Sequence, residues 1–150
     1  QEALEKERIT AGVVDVKGKG LVITVDTESS KDYDSTVYTK SSDLLLSLIN
    51  ELNAAGAEAI SINGERLINT SEIRQAGSYI NINRNKYSAP FEVKAIGNPE
   101  DLSAAIKMRA GIVDIMRSNK FKVNIAQQDE VLINAYSGVI NIKYAQPVDD

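Results

Sequence analysis

Nothing in this chain constrains its fold more than the stretch from Leu45 to Leu67. Leu45, Leu48, Ile49, Leu52 and Ala55 recur at helical spacing, and Gly56 stands where a helix closes on a left-handed residue. Ala59-Ile60-Ser61-Ile62 follows without room for a long connection and reads as a strand. Asn63-Gly64 then supplies the residue pair that most readily takes the positive φ angles of a two-residue hairpin turn, with Leu67 and Ile68 returning from it. A helix that runs directly into a hairpin must pack on the sheet it feeds, so this stretch predicts an α+β domain.

The remaining elements extend that pattern in both directions. Upstream, Leu21-Val22-Ile23-Thr24-Val25 is a β-branched run suited to a buried strand, entered through a Gly18-Lys19-Gly20 turn. Residues 26–41 are polar and rich in Asp, Ser, Thr and Tyr and are expected to form a loop, with Ser42 and Asp43 capping the helix. Downstream, residues 71–76 predict a short helical turn closed by Gly77. Tyr79, Ile80 and Ile82 predict a strand, and Asn83-Arg84-Asn85 a second turn. Phe91, Val93 and Ala95 alternate with Glu92 and Lys94, as in a half-buried strand.

Asn98-Pro99-Glu100-Asp101 has the cap, first-position proline and first-turn acids of a helix start. Its apolar face runs through Leu102, Ala105, Ile106, Ile112, Val113 and Met116, with a bend near Gly111. Two separate strands are expected at Phe121 to Ile125 and Val131 to Ile133, and a last one from Val139 to Tyr144 after a Ser137-Gly138 turn. In order these elements make a ferredoxin-like βαββαβ core with an inserted hairpin and a C-terminal β-hairpin, two helices covering one sheet face. The 150 residues suit one such domain over 11–150. Residues 2–8, strongly helix-forming and charged, read as a frayed terminal helix or as the end of a coiled coil spanning 1–10.

Composition enters through what it lacks. The chain has no His and no Cys, which removes the commonest general base, Ser-His and Cys-His nucleophilic systems, and the ordinary zinc, iron–sulfur and haem ligands. No enzymatic activity, cofactor or metal is expected. A net charge of −4 argues against a nucleic-acid partner. No apolar run is long enough to span a bilayer. Because the chain opens on Gln1-Glu2-Ala3 rather than Met, it is expected to be part of a longer protein, and any anchor would lie upstream.

Two constellations remain. Asp26, Glu28, Asp32 and Asp34 gather in one loop, but without the Gly and Glu positions of an EF-hand they read as a solvated acidic loop rather than a calcium site. Arg66 and Arg74 flank Asn69, Thr70 and Ser71. With Asn63 and Ser71 they are the candidate binding residues, two guanidinium groups converging on a carboxylate or phosphate. The alternative is that each Arg pairs with a structural carboxylate, Glu58, Glu65 or Glu72.

Residues 53–67, Asn-Ala-Ala-Gly-Ala-Glu-Ala-Ile-Ser-Ile-Asn-Gly-Glu-Arg-Leu, with Ile73-Arg74-Gln75-Ala76-Gly77, resemble the bacterial family called domain of unknown function 881. So do residues 90–99, Gly111-Ile112-Val113 and Tyr144-Ala145-Gln146-Pro147. The resemblance covers nearly the whole chain, and Asn63, Gly64, Arg66, Arg74 and Gly77 match the family pattern directly. It implies a membrane helix and coiled coil upstream, a setting near cell-division genes, and no known catalysis. Residues 1–10 then read as the coiled-coil end. The long acidic stretch 28–40 departs from the compact or proline-rich loop of many members. The expected function is that of an extracytoplasmic module, anchored from upstream, that binds an envelope or division protein or a second copy of itself. A small-molecule or anion sensor is the alternative.

Overall fold

The computed structural model describes residues 12–27, 35–68, 70–77, 79–137 and 148. The strands are β1 (Val16–Thr27), β2 (Ala59–Ile62), β3 (Glu65–Arg66), β4 (Ile73–Ala76), β5 (Tyr79–Ile82), β6 (Asn85–Tyr87), β7 (Phe91–Ile96) and β8 (Phe121–Ile133). The helices are α1 (Ser35–Ala54), α2 (Pro99–Ile106) and α3 (Ile112–Ser118). Five strands form an antiparallel sheet in the order β3-β2-β7-β1-β8, and β4-β5-β6 form a smaller one. The fold is thus mixed α and β, as the helix-into-hairpin stretch predicts. The expected stub 1–10, the acids Glu28, Asp32 and Asp34, and the last strand from Val139 to Tyr144 lie outside the described residues.

The front of the main sheet carries the helices. Leu21, Ile23 and Val25 of β1 stand opposite Ala95, Val93 and Phe91 of β7, and all six are buried with Leu45, Leu48 and Leu52 of α1. Burying a side chain of that size is worth about 1.5–3 kcal/mol, so this layer dominates the fold's stability. Asn98 caps α2 as expected, its Oδ1 accepting from the Glu100 and Asp101 N–H groups at 3.0 and 3.1 Å. The bend expected near Gly111 is a full break between α2 and α3.

A bulge gives the sheet a second buried face. Gly18 stands opposite Val131 and Gly20 opposite Gln128, so Lys19 alone faces both Asp129 and Glu130. One extra residue inverts the side-chain alternation. Phe121 and Val123 therefore point to the front, whereas Val131 and Ile133 join Ala59 and Ile96 in a separate cluster behind, with Val16 and Val22 against it. Gly18-Lys19-Gly20 lies within β1 and is not the expected turn. Gly20 is required there because a Cβ would collide with the Ala95 carbonyl oxygen.

Three further expectations are corrected. The loop assigned to 26–41 gives way to β1 through Thr27 and to helix from Ser35, which places Ser42 and Asp43 inside α1 rather than at its cap. The helical turn expected at 71–76 is instead strand β4, paired with β5 from Ile73 opposite Ile82 to Ala76 opposite Tyr79. The two strands expected at 121–125 and 131–133 are one strand, β8, because its backbone stays paired with β1 across the polar middle.

Candidate functional site

The two residues of β3 point to opposite faces of the main sheet and both are buried, Glu65 at 7% exposure and Arg66 at 2%. Their position follows from the Asn63-Gly64 turn, where φ values of 50° and 82° reverse the chain in two residues. Asn63 reinforces the turn: its N–H donates to the Glu92 carbonyl at 2.9 Å and its Oδ1 accepts from the Glu92 N–H at 2.7 Å.

On the front, the Glu65 carboxylate receives the β5–β6 hairpin. Oε1 accepts from Asn85 Nδ2 at 2.6 Å and from the Tyr87 hydroxyl at 2.7 Å, and Oε2 accepts from Asn83 Nδ2 at 3.3 Å. Asn83 Nδ2 also donates to the Arg66 carbonyl at 2.8 Å. The hydrogen bond to Glu65, with burial and the carboxylate's charge adding to it, pushes the Tyr87 phenol up to about 12. On the back, Arg66 Nη1 donates to the Val14 carbonyl at 3.0 Å and to the Asn134 carbonyl at 3.3 Å. Burial lowers the pKa of this guanidinium, and the charge of Asp15 opposes the shift. Asp15 itself accepts from the Ala135 N–H at 2.6 Å. Arg66 thus holds together the segments that precede β1 and follow β8.

Beside this strand lies a groove of about 680 Å³. One wall is a ridge of α1: Leu46, Ile49, Asn50 and Asn53, spaced so that all four share a helix face. The opposite wall is Leu67, Ile68, Ser71 and Ile73, where the chain leaves the main sheet for the small one. Ala59 and Ile60 of β2, with Ala57, Glu58 and Arg66, complete the lining. Ser71 fixes the second wall, its Oγ accepting from the Ile68 N–H at 2.7 Å and its own N–H donating to the Ile68 carbonyl at 2.9 Å.

Of the four residues singled out in the sequence, Arg66 and Ser71 line the groove; Asn63 and Arg74 do not. Arg74 is exposed on β4 and pairs with Glu72 at 2.8 Å, one of the structural pairings left open above. Among the described residues, no three acidic side chains gather as a metal site would require.

A family model described as a bacterial protein of unknown function (DUF881) matches residues 3–146. The chain belongs to the DUF881 family. Among curated relatives of this DUF881 chain, the UPF0749 protein YlxW of Bacillus subtilis is 30% identical over 132 residues, covering 87% of the chain and 57% of the relative. The UPF0749 protein Rv1825 of Mycobacterium tuberculosis is 31% identical over 153 residues, covering 99% of the chain and 49% of the relative. The chain therefore spans about half the length of these two relatives. A crystal structure of an uncharacterized conserved protein from Mycobacterium tuberculosis superposes with a TM-score of 0.80 at 28% identity, covering 97% of this chain and 99% of that one.

The DUF881 site contains one group that sequence reasoning missed, the Glu65–Asn83–Asn85–Tyr87 cluster. A signal for it exists: in Asn85-Lys86-Tyr87 the alternation after a two-residue turn puts Asn85 and Tyr87 on one face. Nothing local points that face at Glu65.

Proposed function

We propose that this DUF881 domain is a non-catalytic protein-interaction module that receives an apolar-faced peptide segment of a partner in the α1–β2 groove. One observation carries the proposal: Ile49, Ile60, Leu67, Ile68 and Ile73 line the groove beside a helical ridge, with Leu46 left 45% exposed on it. Amphipathic segments dock in grooves of this kind, their anchors spaced to match such a ridge. Asn50, Asn53, Glu58 and Ser71 at the rim offer amide, carboxylate and hydroxyl groups to a peptide backbone. The absence of catalysis is supported by the chain's lack of His and Cys and by the engagement of the buried Glu65 carboxylate with three structural donors.

The strand order β8-β1-β7-β2, with every neighbour antiparallel, supports a ferredoxin-like core in which β3 to β6 are insertions. An extracytoplasmic setting, anchored by a segment upstream and linked to the envelope or division machinery, rests on the family resemblance. It is compatible with the greater length of the relatives. Among the described residues no helix is long and apolar enough to cross a membrane. The anion-sensor reading has less behind it, since Arg74 pairs with Glu72 and Arg66 donates to two backbone carbonyls.

Site-specific photo-crosslinking in the cell tests the groove. A crosslinker at Leu46 is expected to capture an envelope partner or a second copy of the chain, while one at Glu51, exposed on α1 but outside the lining, captures neither. Equal adducts from both positions would remove the groove from the proposal. With the crosslinker at Asn50 instead, another residue of the lining, Leu46→Glu is expected to abolish capture and, being a surface change, to move stability by no more than about 0.5 kcal/mol.

A further inference from the structure

We propose that the corner between α2 and α3 docks on an anionic lipid surface. Four cations, Lys107, Arg109, Arg117 and Lys120, stand within residues 107–120 against a single carboxylate, Asp114, in a chain whose net charge is −4. Asp114 is exposed, its Oδ2 accepting from the Ala110 N–H at 2.9 Å. Arg117 Nη2 donates to the Val123 carbonyl at 2.9 Å, which leaves Lys107, Arg109 and Lys120 as the outward cations of the corner. The ion pairs among the described residues, Lys17–Glu130, Arg74–Glu72 and Lys94–Glu92, all lie elsewhere.

Two large apolar side chains stand among these cations, Met108 at 63% exposure and Ile115 at 43%. Met108 lies in the connection between the two helices and Ile115 on α3, with Gly111 between them in the chain. The Gly111 N–H donates to the Met108 carbonyl at 2.8 Å, Ile115 to Gly111 at 2.9 Å, and Asn119 to Ile115 at 3.1 Å. Lys107 and Arg109 flank the Met108 end, and Lys120 follows the Asn119 end. A row of cations around protruding apolar tips matches a bilayer interface, where ammonium and guanidinium groups meet lipid phosphates and the tips enter the acyl boundary. A nucleic acid would use the cations but gain nothing from Met108 and Ile115, and no aromatic residue lies in 107–120 to stack on a base. No residue of this corner lines the groove, so the two proposals can fail independently.

Co-sedimentation of the chain with vesicles tests this. Binding is expected to vesicles containing phosphatidylglycerol, to be absent with phosphatidylcholine alone, and to weaken as salt is raised. Lys107→Gln and Arg109→Gln are each expected to weaken binding about fivefold, the usual worth of one cation near an anionic surface. Met108→Ser is expected to weaken it while leaving the salt dependence unchanged. All three positions are exposed, so melting temperatures should hold and fold loss cannot imitate the result. Equal binding to both vesicle types, or variants that bind as the parent does, would overturn the proposal. So would failure to bind anionic vesicles, even if the chain retained an acidic protein or a nucleic acid.

Discussion

The Tyr87 hydroxyl donates to Glu65 Oε1 at 2.7 Å, which makes this phenol a reporter on the join between the two sheets. A tyrosine in the unfolded chain titrates near pH 10, and in the fold this one is raised to about 12. Between those values the folded state binds more proton than the unfolded state. The contribution to stability is therefore fully present below about pH 10 and is lost as pH rises through the folded value of about 12. Tyr87→Phe removes a hydrogen bond to a charged acceptor and is expected to cost about 2 kcal/mol near neutrality. It should also flatten that part of the alkaline decline, which urea titrations at a series of pH values would show. An alkaline limb identical in the variant would mean that the phenol does not hold the small sheet in place.

At the scale of elements, β1 meets the backbone of β7 directly at Gly20, and the sheet depends on that glycine for a reason a turn glycine does not share. A Cβ at Gly20 would meet the Ala95 carbonyl oxygen, whereas one at Gly64 has nothing within 4 Å and suffers only from a φ of 82°. Gly20→Ala is expected to cost about 3 kcal/mol through forced backbone movement, and Gly64→Ala about 1 kcal/mol through strain alone. Thermal unfolding of both variants would rank them, and a reversed order would refute the close approach. The same contrast separates what is legible in the sequence from what is not. Asn63-Gly64 and Asn98-Pro99 were legible because their effects are local: a turn and a cap satisfied within a few residues. Gly18-Lys19-Gly20 looks like a turn because nothing local reveals that β7 and β8 pair on either side of it. Ile73 to Ala76 becomes a strand because β5 supplies a partner. Residues 127–130 are polar enough to suggest a break, but the ladder to β1 carries β8 through them. The candidate site divides in the same way. Arg66 and Ser71 stood out by type and spacing, but the partners that give Arg66 its role lie 52 and 68 residues away. Those of Glu65 lie 18 to 22 residues away, beyond any periodicity.

Across the whole molecule, β3 is where the front and back layers are tied to each other, although it is only two residues long. Glu65 secures the small sheet on the helix side, and Arg66 secures the segments flanking β1 and β8 on the other. Because adjacent strand residues face opposite ways, the two ties should fail separately. Arg66→Met keeps the apolar stem but leaves the Val14 and Asn134 carbonyls without their donor, a loss of roughly 3 kcal/mol. Native-state hydrogen exchange should then show faster exchange at Ala135 and Tyr136, whose N–H groups donate to Asp15 and to the Gly12 carbonyl in the same arrangement. Amides of the β4–β5 ladder should keep their protection. Glu65→Ala should do the reverse, loosening β4, β5 and β6 while Ala135 and Tyr136 stay protected, because its three donors all come from the small sheet and its hairpin turn. If each substitution instead released both regions together, β3 would be part of one undivided cooperative unit. The groove beside it could then not change shape without unfolding the sheet.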